Sequence, residues 1–271
     1  MCRWLAYAGP PIYLESLIFK PKRSLLTQSR AAQMSVSAIN ADGFGIGWYG
    51  ARPQPGVYRD ILPAWNDANL KSLAAQIQSS LFFGHVRAAT GTAVTRLNCH
   101  PFTYGRHLFM HNGMIGGFDR LRRILAMAIR PDLYPLVQGT TDSELFFYLL
   151  LGNGLEADAE GAMRATVAQV LAAMAEAGIE DHFAMTAALS DGESVYAVRY
   201  ANDDRSPSLF YSVGAQPLDE LGVPVYDAGQ ACLIVSEPLD EIAESWHEVP
   251  PGHMLVAGTG GVAVAPFAPG A

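Results

Sequence analysis

The sequence has 271 residues, 50% hydrophobic and 16% charged, a composition typical of a folded globular protein rather than a disordered chain. Its 18 basic and 26 acidic residues give a net charge of −8, which argues against nucleic acid and anionic membranes as partners. Because no apolar run approaches the roughly 20 residues that span a bilayer, and the first residues lack the features of a secretory signal, we expect a soluble cytoplasmic protein.

The first half of the chain predicts strands with one clear helix between them. The predicted strands are residues 1–8, residues 42–50 and the segments "LFFGHVRAAT" and "RHLFMHNG". Residues 65–80 favour a helix, since Asn66 or Asp67 can cap it and an apolar stripe includes Leu70 and Ala74. Residues 23–38 have only a partly helical pattern.

The second half predicts helices and then strands. Residues 117–178 contain three helical segments, "FDRLRRILAMAI", "TDSELFFYLLLG" and an alanine-rich stretch. A hairpin follows at 182–201, with Asp191-Gly192 supplying the positive φ angles of its turn. Further strands are predicted at 208–213, 231–236, 253–258 and 261–266. Without regular βαβ alternation, this order favours an α+β fold with largely antiparallel sheets, and we expect residues 1–271 to form a single domain.

Three cysteines, Cys2, Cys99 and Cys232, are an odd number and widely scattered. This argues against a disulfide framework and fits a reducing compartment. Cys232 lies in the apolar run "ACLIVS", so its thiol is expected to be buried and inert.

Several segments are polar or glycine-rich where a structural strand would continue apolar: "NADGFG", "GHVRAAT", "NCHPF", "HNG" and "TTDSE". Their positions at or beyond predicted strand ends suggest that they converge on one rim of the sheets. Together with Cys2 they supply a nucleophile, an amide beside a glycine, a cation and an anion.

In this order and at roughly this spacing, Cys2, "DGFGIGWY", "GHVRAAT", "NCHPF", "HNG" and "TDSE" resemble the class II glutamine amidotransferases of the N-terminal nucleophile superfamily. "VSEPLD" and "WHEVPPGHMLV" extend the likeness to the stand-alone members, which include the γ-glutamyl amidohydrolase of ergothioneine biosynthesis. The resemblance implies a four-layer αββα sandwich of two mostly antiparallel sheets.

The resemblance makes Cys2 the nucleophile and its own α-amino group the base, which requires loss of Met1. It assigns stabilisation of the oxyanion to the side-chain amide of Asn112 and the backbone N–H of Gly113. The structural alternative for Asn112-Gly113 is a tight hairpin turn, which Asn-Gly commonly forms.

The resemblance also assigns Arg87 to the α-carboxylate of a glutamyl substrate and Asp142 to its α-ammonium, with Thr90 as a further substrate contact. The structural alternatives are a salt bridge for Arg87 and a helix N-terminal acid for Asp142. Synthase-linked relatives carry a tryptophan after the substrate arginine, whereas here Ala88 follows it. Asp42 is a candidate for holding the N-terminus.

The histidines at 85, 100, 107 and 111, with Cys99, raise the alternative of a metal site. In an extended strand, however, His107 and His111 lie about 13 Å apart at ~3.3 Å per residue, too far to bind one ion. We therefore expect structural histidines with satisfied hydrogen bonds, no metal and no cofactor.

The leading hypothesis is cleavage of a γ-glutamyl amide, such as glutamine, through a γ-glutamyl thioester, with a small-molecule substrate and possible transfer of ammonia to a separate synthase. One alternative is a γ-glutamyl amidohydrolase acting on a γ-glutamyl thioether. The other is a non-catalytic regulatory protein that binds glutamyl compounds. The sequence says nothing of the oligomeric state.

Overall fold

The computed structural model describes residues 2–34, 38–89, 91–203, 205–223, 231–258 and 260–270. In these ranges the strands are β1 (Arg3–Tyr13), β2 (Phe44–Trp48), β3 (Gly56–Asp60), β4 (Gln78–Val86), β5 (Phe102–Tyr104), β6 (His107–Ile115), β7 (Phe183–Ser190), β8 (Val195–Ala201), β9 (Phe210–Val213), β10 (Cys232–Val235), β11 (His247–Glu248), β12 (His253–Gly258) and β13 (Gly261–Pro266). The helices are α1 (Glu15–Ile18), α2 (Leu25–Arg30), α3 (Ala68–Gln76), α4 (Phe118–Ala128), α5 (Asp142–Gly152), α6 (Ala159–Glu176) and α7 (Ala215–Glu220).

The strands form two antiparallel sheets. One has the order β11-β9-β10-β1-β4-β2-β3, and the other has the order β13-β12-β8-β7-β6-β5. Helices α1 to α3 and α7 pack on the first sheet, and α4 to α6 pack on the second. A third apolar layer lies between the sheets and includes Trp4, Phe83 and Met110. The predicted αββα sandwich is therefore confirmed.

Local sequence signals explain where several elements begin. Asp67 caps α3, because its Oδ1 accepts a hydrogen bond of 2.7 Å from the Leu70 backbone N–H. The predicted helix was too long at its C-terminal end, since α3 stops at Gln76 and the following residues pair in β4. Helix α5 lacks a polar stripe because Ser143 to Leu151 are all buried against other layers.

Strand pairing and one hydrogen bond across the layer between the sheets fix the positions of Asn112 and Gly113. Trp4 donates from Nε1 to the Thr186 hydroxyl across this layer, at 3.2 Å. Asn112 pairs with Thr186 inside β6, and Gly113 pairs with Met185. The interpretation of Asn112-Gly113 as a tight turn is therefore wrong, because continuous pairing with β7 holds both residues within the strand.

Among the described residues, no helix has both the length and the apolar character needed to cross a bilayer.

Candidate active site

A cavity of about 500 Å³ brings together residues from distant parts of the chain. Cys2, Arg87, Gly113 and Asp142 all line it. Thr90, the other predicted substrate contact, lies outside the described residues. A larger cavity of about 790 Å³ lies against α4, and its described lining contains none of the predicted site residues. The smaller cavity is therefore the candidate site.

The thiol of Cys2 lies against the segment that follows β4. The backbone N–H of Ala88 donates to Cys2 Sγ at 3.4 Å, and Sγ lies 3.6 Å from the Ala88 carbonyl oxygen. Burial raises the pKa of the Cys2 thiol, and the Ala88 N–H and the positive charge of Arg87 only partly oppose this. A nucleophilic thiolate at this position therefore requires a nearby base.

Arg87 places a buried cation beside this thiol. It is only 3% exposed, and its guanidinium donates to the Thr92 hydroxyl at 2.6 Å and to the Asp42 and Ala93 carbonyl oxygens at 3.4 and 3.3 Å. Among the described residues, no aspartate or glutamate forms an ion pair with it. Because Arg87 is buried, the alternative of a surface salt bridge is wrong, and within the described ranges its charge has no anionic partner.

Asp142 is the first residue of α5, which follows the N-cap Thr141. Its Oδ2 accepts the Ile115 backbone N–H at 2.9 Å, and its Oδ1 accepts the Ser143 backbone N–H at 2.8 Å and the Ser143 hydroxyl at 3.2 Å. The carboxylate is thus fixed from both sides, while the residue remains partly exposed to the cavity.

Asn112 and Gly113 are placed differently from each other. Gly113 lines the cavity, and a Cβ there would lie 2.0 Å from the Ala184 carbonyl oxygen, so only glycine fits. The Asn112 side chain is 1% exposed, and neither its nitrogen nor its oxygen is hydrogen-bonded to any described group. It therefore does not reach the cavity surface in this conformation, although a buried amide without partners is costly.

The four histidines are buried, and two of them, His100 and His111, line the cavity. His85 and His100 stack with ring centroids 4.3 Å apart, and His85 Nε2 lies 3.3 Å from the His111 carbonyl oxygen. Several of their ring nitrogens lack a partner among the described residues, so the expectation of fully satisfied histidines is wrong. Burial lowers the pKa of His85 to about 3 and that of His100 well below its ordinary value. No three His, Cys, Asp or Glu side chains of the described ranges are arranged to hold a metal ion.

Sequence reasoning missed the residues that support this site. Glu237 is buried and accepts hydrogen bonds from the backbone N–H groups of Gln33 and Met34, while the Ser236 hydroxyl accepts one from the backbone N–H of Trp4, two residues after Cys2. Their only signal was the segment "VSEPLD". Asp42 holds the segment after β4 by accepting the Ala89 N–H at 2.8 Å, a contact different from the expected one with the N-terminus.

A family model and several known proteins match this sequence. A family model described as "Glutamine amidotransferases class-II" matches residues 23–269. The probable glutamine amidotransferase DUG3 of Saccharomyces cerevisiae is 33% identical over 290 residues, which cover 94% of this chain and 81% of that protein. The γ-glutamyl-hercynylcysteine sulfoxide hydrolase of Mycolicibacterium smegmatis is 32% identical over 172 residues, which cover 63% of this chain and 69% of that protein.

Solved structures agree with the sequence matches. A glutamine aminotransferase class-II domain protein from Silicibacter pomeroyi superposes with a TM-score of 0.77 and 37% identity, covering 99% of this chain and 100% of that one. The glutamine phosphoribosylpyrophosphate amidotransferase of B. subtilis superposes with a TM-score of 0.65 at 16% identity, covering 98% of this chain and 49% of that one. The second likeness concerns the fold alone.

Proposed function

The chain belongs to the class II glutamine amidotransferase family, and on that premise we propose that it cleaves a γ-glutamyl amide through a thioester formed on Cys2. The observation that carries this proposal is the pairing of charges in one cavity. The buried guanidinium of Arg87 has no acidic partner among the described residues, and it shares the cavity with the Cys2 thiol and the Asp142 carboxylate.

Attack begins with loss of the thiol proton. Because burial raises the pKa of Cys2, the thiol needs a base, and the α-amine of the same residue is close enough to act as one. A peptide nitrogen has no basic lone pair, so this step requires removal of Met1. The Ala88 N–H, 3.4 Å from Sγ, then stabilises the thiolate that forms.

The tetrahedral intermediate carries an oxyanion that needs hydrogen-bond donors. The backbone N–H of Gly113 and the side-chain amide of Asn112 are the proposed donors. Support for Asn112 comes from its amide, which is buried with no partner in the described part of the chain, so a ligand oxygen would provide the missing acceptor. Its side chain must turn towards the cavity when substrate binds, since catalytic hydrogen bonds often tighten only in the complex.

Arg87 and Asp142 would hold the far end of the glutamyl group. A guanidinium fork suits the two oxygens of an α-carboxylate, and a fixed carboxylate suits an α-ammonium. Because these charges hold a part of the substrate that does not react, they would position the γ-amide carbon against Sγ. Thr90 remains a predicted contact at this end.

Collapse of the intermediate breaks the C–N bond, and the leaving nitrogen takes the proton held by the α-amine of Cys2. Water then attacks the thioester carbon, releasing glutamate and restoring the thiol. With glutamine as substrate the first product is ammonia. We propose that this ammonia is either released or passed to a separate synthase.

A larger γ-glutamyl compound is the second candidate substrate. The cavity volume of about 500 Å³ falls within the roughly 300 to 1,000 Å³ typical of small-molecule pockets, which leaves room for a leaving group bigger than ammonia. The M. smegmatis relative is by its name a hydrolase of γ-glutamyl-hercynylcysteine sulfoxide, a γ-glutamyl compound larger than glutamine. A γ-glutamyl thioether is therefore the alternative to glutamine.

A glutamate-release assay tests the proposal. Purified protein is incubated with glutamine and with a γ-glutamyl cysteine thioether, and Cys2→Ala serves as the control. We expect release of glutamate from at least one substrate and none from Cys2→Ala. Binding of glutamate without any release from the unaltered protein would contradict hydrolysis and favour a regulatory protein that binds glutamyl compounds.

A further inference from the structure

A hydrogen-bonded chain runs from a buried histidine to the carboxylate proposed to bind the substrate ammonium. His111 Nδ1 lies 2.8 Å from the Ser143 hydroxyl, and that hydroxyl lies 3.2 Å from Asp142 Oδ1. His111 and Ser143 are 4% and 5% exposed. Neither residue was part of the predicted site.

The direction of this chain follows from counting hydrogens. An ionised carboxylate only accepts, and a serine hydroxyl has one hydrogen. Ser143 therefore donates to Asp142, and it must accept from His111 Nδ1–H. This assigns the neutral imidazole as the Nδ1–H tautomer from the network, and its Nε2 keeps a lone pair.

The surroundings of His111 keep its ring in this orientation. The ring stacks on Phe146 with the planes 14° apart, and Nε2 lies 2.8 Å from the point where a Cβ on Gly113 would be. Nε2 has no partner among the described residues. Burial lowers the pKa of His111, although the nearby Asp142 charge opposes this, so the neutral form that donates from Nδ1 is favoured at neutral pH.

From this geometry we infer that His111 and Ser143 are positioning residues for the ammonium subsite, because they fix the rotamer of the Asp142 carboxylate. The inference rests on the proposed function, in which Asp142 binds the α-ammonium of the glutamyl group. Two backbone donors, Ile115 N–H and Ser143 N–H, also hold this carboxylate, so the hydroxyl contributes only part of its orientation. We expect a moderate effect confined to ligands that carry an ammonium.

Calorimetry on the Cys2→Ala protein provides the test, with L-glutamate and glutarate as probes. Glutarate matches glutamate except that it lacks the ammonium group. Ser143→Ala and His111→Phe should each weaken glutamate binding about threefold to tenfold and leave glutarate binding unchanged. The phenyl ring keeps an aromatic face against Phe146 and cannot donate to the Ser143 hydroxyl.

Two further variants test whether His111 acts on Asp142 through the Ser143 hydroxyl. The double variant Ser143→Ala, His111→Phe should lose no more affinity than either single variant, because both act through one hydroxyl. His111→Asn places an amide nitrogen near the position of Nδ1 and should restore most of the glutamate affinity. Losses that multiply in the double variant, or equal losses for glutarate, would overturn the inference.

Asp142→Ala separates this inference from the proposed function. If that variant loses glutamate affinity by more than about tenfold while Ser143→Ala and His111→Phe bind like their parent, the positioning role is wrong and the ammonium subsite stands. If Asp142→Ala binds glutamate like its parent, or the parent binds neither probe, the proposed subsite is wrong and the inference fails with it.

Discussion

Replacing Arg87 with alanine removes the cation proposed to bind the substrate α-carboxylate. The guanidinium donates two hydrogen bonds from Nη1, to the carbonyl oxygens of Asp42 and Ala93, and one from Nη2, to the Thr92 hydroxyl. No described group accepts from its Nε–H. That hydrogen and the remaining one on Nη2 are free for a ligand, since a guanidinium has five N–H donors. A hydrogen bond to a charged group contributes about 1.5 to 3 kcal/mol, which corresponds to roughly a 10- to 150-fold rise in KM.

The assay is glutamate release, with kcat and KM measured separately. Arg87→Lys should give an intermediate KM, because it keeps the charge and loses the planar fork. Inhibition by 4-aminobutyrate, which lacks the α-carboxylate, should be the same in Arg87→Ala and the unaltered protein.

Arg199→Ala is the matched control. Arg199 is also buried and also donates to three partners, Ser206, Glu248 and Val249, but it does not line the cavity. It should lower the melting temperature without changing KM. An unchanged KM in folded Arg87→Ala, or an equal rise in Arg199→Ala, would refute the assignment of Arg87.

Further predictions concern four other positions. Cys2→Ala should abolish turnover and keep its affinity for glutamate within about twofold by calorimetry, since only Sγ is lost. Asn112→Ala should lower kcat about 10²- to 10³-fold without lowering the melting temperature, because its amide has no partner among the described groups; a parallel fall in both would contradict an oxyanion role. Gly113→Ala should lower the melting temperature, since its Cβ would meet the Ala184 carbonyl oxygen, and unchanged stability would disprove that contact. Acidification should destabilise the fold: burial lowers the pKa of His85 from 6.5 to about 3, so between these pH values only the unfolded chain takes up this proton. Stability should fall by up to about 1.4 kcal/mol per pH unit for such a histidine, and His85→Gln should reduce that slope in denaturant titrations.

Much of the fold could be predicted from local patterns. Asp67 before a periodic apolar stripe and Asp191-Gly192 between two strands are short-range signals, and both elements form where they were expected. The strands predicted at 208–213, 231–236, 253–258 and 261–266 lie close to β9, β10, β12 and β13, whereas β11 was not predicted. The C-terminal end of α3 was not predicted, because pairing of Gln78 and Ser79 with β1 draws the residues after the helix into β4.

The site was less predictable because its contacts join distant segments. The cavity lining brings together residues 2, 87, 113 and 142, which resemblance to a family had already suggested. The strand pairing of Asn112 and the chain from His111 to Asp142 depend on the register of β6 against β7 and on the packing of α5. No local pattern encodes those relations. A single domain over 1–271 remains a prediction.

Peptide mass mapping of enzyme quenched with acid during turnover tests the central claim most directly. We expect a γ-glutamyl group on the sulfur of Cys2, in a peptide that begins at Cys2 with a free α-amine. An active enzyme that retains Met1, or a γ-glutamyl group on Cys99 or Cys232, would contradict an N-terminal nucleophile.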